Sequence, residues 1–173
     1  MALRPLTLRQ VYGLNPLLPP QDLTCETDEN DSFVYCTGNL TIIQNGHDQI
    51  ILHGHTNDVS AFDVAKDKSL IVTGELSSII VWDVETLSPM TVFDSEEYTP
   101  ISLVFNNSGT GLMSLDDNGE IRYYELNKLQ AARGNEKGAS FKLTEKHALR
   151  ITSGHTKLSF SENDDYRVVS WGM

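Results

Sequence analysis

Apolar and polar residues alternate in short runs along most of this chain, and the runs come in groups. In "DVSAFDVA" (58–65), Val59, Ala61 and Asp63 fall on one side and Ser60, Phe62 and Val64 on the other, the two-residue period of a β-strand. "KDKS" makes a turn, "LIVTGE" (70–75) reads as a buried strand, "SIIVWDV" (78–84) as the next and "SPMTVFDS" (88–95) as an outer one. The same order returns as "ISLVFN", the turn "NSGTG", "LMSLDD" and "NGEIRYYEL". There Asn118-Gly119 supplies the positive φ angles of a tight hairpin. Helix formers cluster only in "LNKLQAARGNEK" (126–137), which predicts an insertion in the outer part of a sheet with room for a helical turn. The pattern is all-β.

The groups repeat. "VWDVETL" (81–87) and "YYELNKL" (123–129) align position by position, with Trp82 and Tyr124 42 residues apart. "LTIIQNG" (40–46) fits the same slot, placing Ile43 39 residues before Trp82. The pair Gly54-His55 returns as Gly154-His155, 100 residues on. Four short strands in a period near forty are the pattern of a β-propeller blade. The expected organisation is a lead-in over 1–20, with "LTLRQVYGLN" (6–15) as an outer strand, followed by blades at about 21–54, 55–100 and 101–152. A half blade follows at 153–173. In that last part "KLSFSENDD" gives a first strand and turn and "YRVVSWG" a second strand. Trp171 lies 16 residues after His155, against 27 from His55 to Trp82, so Trp171 is not the tryptophan that closes a period. Closed propellers use typically 4–8 blades. About three and a half blades leave the ring open, so the expectation is a partial propeller that is a fragment of a longer chain or is completed by a partner.

Polar residues inside a blade must be hydrogen-bonded, because a buried unpaired group costs about 1–3 kcal/mol. The candidates for such an internal network are His55, Thr73, Trp82 and Asp83 in one period, Asp117 and Tyr124 in the next, and His155 in the last. A histidine at the start of a blade can reach a hydroxyl on the second strand, and that hydroxyl can accept from an indole N–H on the third.

Those residues resemble the WD-repeat proteins, with "GHTNDVSAFDVAKDKSLIVTGELSSIIVWD" a near-complete repeat. The resemblance has one departure. Members of that family carry an Asp in the turn six residues before the Trp, and here the place holds Leu76 with Glu75 beside it. In the following period Asp117-Asn118 sits near that place, Tyr124-Glu125 replaces Trp-Asp, and no histidine is present. "VYGLNPLLPPQDL", "FVYCTGNLTIIQ" and the strong Gly-His repeat run in the order found at the start of a propeller in cilia- and flagella-associated WD-repeat proteins. That layout is similar to the echinoderm-microtubule-associated-like family as well. The resemblance covers about 11–125. It implies a non-catalytic structural component of motile cilia or flagella, cytoplasmic and cytoskeletal, on doublet microtubules or axonemal complexes. The alternative is a cytosolic WD-repeat adaptor of another kind, such as a ubiquitin-ligase substrate receptor or a subunit of a signalling or trafficking complex.

Charge narrows the partners. The net charge is −11, yet residues 1–121 hold four Lys/Arg against eighteen Asp/Glu while residues 122–150 hold seven against three. An acidic body disfavours nucleic acid and anionic membranes. The basic stretch, with Lys128, Arg133, Lys137, Lys142 and Lys146, is the candidate contact for an acidic protein surface such as tubulin's, against the alternative of a solvated loop. No apolar run reaches the length of a membrane span, and the first twenty residues are broken by Pro and Gly too early for a signal peptide. Cys25 and Cys36 are then expected to be reduced thiols in the cytosol. His53 and His55 share a strand face, but no further ligands accompany them at metal spacing. Acid pairs such as Asp116-Asp117 sit in turns, and no glycine loop has the strand-to-helix setting of a phosphate cradle. No catalytic residue, cofactor, metal or small-molecule substrate is expected.

Overall fold

The computed structural model describes residues 10–11, 13–24, 31–94, 98–129, 140–151, 154–162 and 164–172; of residues 94, 127–129, 140–147, 165 and 166 it describes the backbone alone. Within these residues the regular structure is all strand. The first sheet pairs β1 (Gln21–Asp22), β2 (Ser32–Thr37), β3 (Leu40–Asn45) and β4 (Asp48–Leu52) in that order, and the second pairs β5 (Ala61–Val64), β6 (Leu70–Glu75), β7 (Ser78–Asp83) and β8 (Ser88–Asp94). The third runs from β9 (Pro100–Phe105) through β10 (Gly111–Asp116) and β11 (Glu120–Leu129) to β12 (Ser140–Arg150). A last sheet holds two strands, β13 (Lys157–Ser161) and β14 (Asp164–Trp171). Every pairing is an antiparallel meander, and β5, β9 and β13 pack side by side as the inner strands of successive sheets. The described residues form an open, partial β-propeller of three four-stranded blades and a two-stranded half.

The alternating pattern explains why sheet stacks on sheet. Each side of the second blade is covered by a neighbour, and its residues divide by parity between two cores. Ile71, Ile80 and Trp82 join Val34, Cys36, Ile43 and Leu52 of the first blade. Val72, Ile79 and Val81 join Leu103, Phe105, Leu112 and Tyr124 of the third. A strand covered on both faces needs apolar residues at nearly every position, and all six residues of β6 are buried. Each fully buried aliphatic side chain contributes about 1.5–3 kcal/mol.

Polar side chains stitch one inner strand to the next at a spacing near the repeat length. Gln21 on β1 donates from Nε2 to the Phe62 carbonyl at 3.2 Å and accepts the Val64 N–H at 3.0 Å. Asp63 on β5 accepts the Phe105 N–H at 2.8 Å, and Ser60 donates to the Pro100 carbonyl at 2.6 Å. Ser102 accepts the Leu158 N–H at 3.1 Å, and Asn107 donates to the Ser161 carbonyl at 2.8 Å. Every seam therefore has a direct hydrogen bond from a side chain to the neighbouring blade's backbone.

Four local expectations differ from what is found. The first strand of the second period begins at Ala61 rather than Asp58, because Val59 and Ser60 spend their N–H groups on Gly38 and Gly74 carbonyls in the approach to the sheet. In the turn after β10 only Gly119 has a positive φ, of 79°. Asp116 accepts the N–H groups of Asn118 and Glu120 at 2.9 and 2.8 Å, giving a three-residue loop rather than a two-residue one. In the insertion, Leu126–Leu129 continue β11 and pair with Leu143–Ser140; the helical turn anticipated there is not formed at 126–129, and residues 130–137 lie outside the described residues. The lead-in also differs. Residues 10, 11 and 13–15 lie outside any strand, and the remainder of 6–15 lies outside the described residues.

Candidate functional site

The internal network of the second blade is built on three elements. Thr73 on β6 is fully buried, and its Oγ1 lies 2.8 Å from Trp82 Nε1 on β7 and 2.6 Å from His55 Nε2 ahead of β5. An indole N–H only donates, so Thr73 accepts from Trp82, and with the Glu75 carboxylate facing the other ring nitrogen the Thr73 proton goes to His55 Nε2. That leaves the imidazole proton on Nδ1, which faces the Glu75 carboxylate at 3.3 Å but is poorly aligned for a hydrogen bond. Gly54 is required beside this cluster, because a Cβ there would stand 2.7 Å from Trp82 Cη2.

Glu75 occupies the departure from the WD-repeat pattern and closes the network from an adjacent position. Its carboxylate accepts the backbone N–H groups of Thr56 and Asn57 and the Ser78 hydroxyl. Burial pushes its pKa up, but the Asn57 and Thr56 N–H groups outweigh that and hold it below the usual carboxylate range. Burial holds His55 below the ordinary histidine value despite the neighbouring carboxylate, so the network carries a neutral imidazole beside an ionised Glu75. Asp83 is not part of it. Its Oδ1 accepts the Thr86 N–H at 2.6 Å and the Thr86 hydroxyl at 2.9 Å, capping the turn into β8.

The third blade holds the same places with different chemistry. Tyr124, fully buried, pairs across from Leu112 as Trp82 does from Ile71, and its Oη lies 2.6 Å from Tyr98 Oη. Burial and the Tyr98 hydroxyl push the Tyr124 phenol upward. Arg122 lies 3.9 Å over the Tyr98 ring and pairs with Asp116 at 2.7 Å and with Glu120. Asp117, exposed, accepts the Thr99 N–H at 3.4 Å, apart from the tyrosine pair. In the half blade, His155 is half-buried and its Nδ1 has no hydrogen-bond partner among the described residues. Ser170 pairs in register with Leu158, and Trp171 is 46% exposed.

Three of the basic candidates lie on the two strands of one hairpin. Lys128 is on β11 opposite Phe141, Lys142 is on β12 opposite Asn127, and Lys146 is the extra residue of a bulge between Glu145 and His147. Arg133 and Lys137 lie outside the described residues. Glu75, Tyr98, Arg122, Asp116 and Asp63 were not singled out from the sequence. Tyr98 had a signal, since it falls in "SEEYTPIS", the segment where a Gly-His pair is missing. Among the described residues no group of three His, Cys, Asp or Glu is placed to hold a metal ion, and no helix is long and apolar enough to cross a membrane. Cys36 is buried, its thiol pushed up to about 12 by that burial.

The stacked sheets, the period near forty and the His–Thr–Trp network are those of a partial β-propeller and are similar to the WD-repeat pattern. The chain is 28% identical to cilia- and flagella-associated protein 52 of Mus musculus in an alignment of 140 residues covering 75% of this chain. It is 29% identical to the protein of that name from Bos taurus and 28% to that from Sus scrofa, with the same coverage. The chain spans 22% of the length of these relatives. No protein-family model matches the chain.

Proposed function

We propose that this chain is a non-catalytic scaffold of the ciliary or flagellar axoneme, cytoplasmic and cytoskeletal, acting through protein–protein contacts with doublet microtubules or their associated proteins. The observation that carries this reading is the similarity to cilia- and flagella-associated protein 52 over 140 residues. The buried polar groups suit it, since Thr73 bonds to His55 and Trp82 while Glu75 bonds to the Thr56 and Asn57 backbone, tying the blade together.

The contact surface in this reading is the β11–β12 hairpin. Residues 122–150, which hold all of it but Glu120 and Ile121, carry seven Lys/Arg against three Asp/Glu on an otherwise acidic molecule, a charge suited to an acidic surface such as tubulin's. The test is co-sedimentation with taxol-stabilised microtubules and with salt-washed axonemes, comparing the natural chain with Lys128→Glu/Lys142→Glu. The expected result is pelleting that weakens with salt and with the charge reversals. A chain left in the supernatant with both polymers would refute the reading.

A further inference from the structure

The leading face of the first blade is covered although no blade lies against it. Strand register divides the first blade into two faces. Val34, Cys36 and Ile43 point toward the second blade and belong to the core they share with it. Tyr35 and Ile42, paired with each other across β2 and β3, point the other way. They belong to neither inter-blade core, yet Tyr35 is 4% and Ile42 0% exposed.

The polypeptide that crosses this face is the lead-in. Gln49 on β4 holds it as a strand partner would, accepting the Val11 N–H on Oε1 at 2.8 Å and donating from Nε2 to the Val11 carbonyl at 3.1 Å. Tyr35 Oη donates to the same carbonyl at 3.3 Å and accepts from Gln49 Nε2 at 3.0 Å. Further along, the Asn15 N–H donates to the Cys36 carbonyl at 3.3 Å, and Leu18 enters the core behind β2. At the other end of the molecule the half blade has no such cover among the described residues, and Val169 and Trp171 are 60% and 46% exposed.

We propose that residues 10, 11 and 13–15 are an intramolecular cover, clasped by Gln49 and Tyr35, which keeps the leading face of the first blade from docking another β-sheet. A blade seated on this face, whether from this chain or another, must first displace the cover.

Hydrogen exchange read by mass spectrometry on the full chain tests this, with Gln49→Ala and the gentler Gln49→Glu, which keeps the acceptor and loses the donor. The natural chain should protect the Val11 and Asn15 amides. Each variant should speed exchange in 10–15 and in β2–β3 by about tenfold, the effect of one net hydrogen bond. Binding of bis-ANS should rise, and β6–β7 exchange should stay unchanged. Three results would overturn the proposal. One is exchange of the natural lead-in at the free-peptide rate. Another is release of the lead-in with no change in β2–β3 or dye binding. The third is loss of β6–β7 protection in both variants, because removing a cover leaves the second blade folded.

Discussion

Replacing Thr73 by Val removes the hydroxyl at the centre of the second blade while keeping the volume. Thr73 is fully buried and bonds on one side to Trp82 Nε1 and on the other to His55 Nε2. The substitution leaves both partners in place, each 6% exposed or less. An orphaned buried group costs about 1–3 kcal/mol, so two orphans predict a loss of about 2–6 kcal/mol. That is a large fraction of the roughly 5–15 kcal/mol that holds a typical domain. Thr73→Ser is the control. It keeps the hydroxyl and gives up one buried methyl, for about 1 kcal/mol. Urea unfolding followed by indole emission measures both, in a Trp171→Phe background so that Trp82 is the sole reporter. Thr73→Val should move the midpoint down by about 1–2 M, given a urea slope of about 1–3 kcal/mol/M. Equal losses for Val and Ser would refute the reasoning, since the hydroxyl would then contribute nothing beyond its neighbours' packing.

Tyr124→Phe tests the counterpart in the third blade; losing the 2.6 Å bond to Tyr98 should cost about 1–3 kcal/mol in the same urea assay. Gly74→Ala places a Cβ 2.6 Å from Pro100 Cγ and 2.9 Å from Leu103 Cδ1, crowding the seam between the second and third blades, and should cost about 1–3 kcal/mol. Asp63, raised by burial to about 6, contributes stability that is present below pH 4 and lost as pH rises through 6. Asp63→Asn keeps an acceptor for Phe105 and should stabilise the chain at pH 7.5 by up to about 3 kcal/mol; a destabilised variant at that pH would contradict this sign. His55 has the opposite slope, because a folded pKa below the ordinary value makes stability fall as pH drops below about 6.5. In the Asp63→Asn background, thermal midpoints should therefore decline between pH 7 and 5.

The architecture was legible because stacking repeats itself. The two-residue alternation in "LIVTGE" and "SIIVWD" and the 42-residue step from Trp82 to Tyr124 identify the blades, and both follow from sheets covered on two faces. The identity of the residue facing His55 was less visible. The family pattern points to the turn at Leu76, but the strand carries Glu75 to the same place one position earlier, and a longer side chain makes up the difference. Arg122 looked like part of a basic stretch because its charge is local in sequence, while the Tyr98 ring and the Asp116 carboxylate that fix it come from other strands. The cover over the first blade was hidden for the same reason. A lead-in strand is expected to pair by backbone alone, and here a single side chain, Gln49, takes the part of a strand.

The central claim is that this chain serves as an axonemal scaffold, and the most direct measurement is where a tagged chain remains after ciliated cells are extracted with detergent. The account predicts retention along the axoneme, resistant to detergent and released by high salt. Complete loss to the soluble fraction, with no ciliary enrichment before extraction, would contradict it.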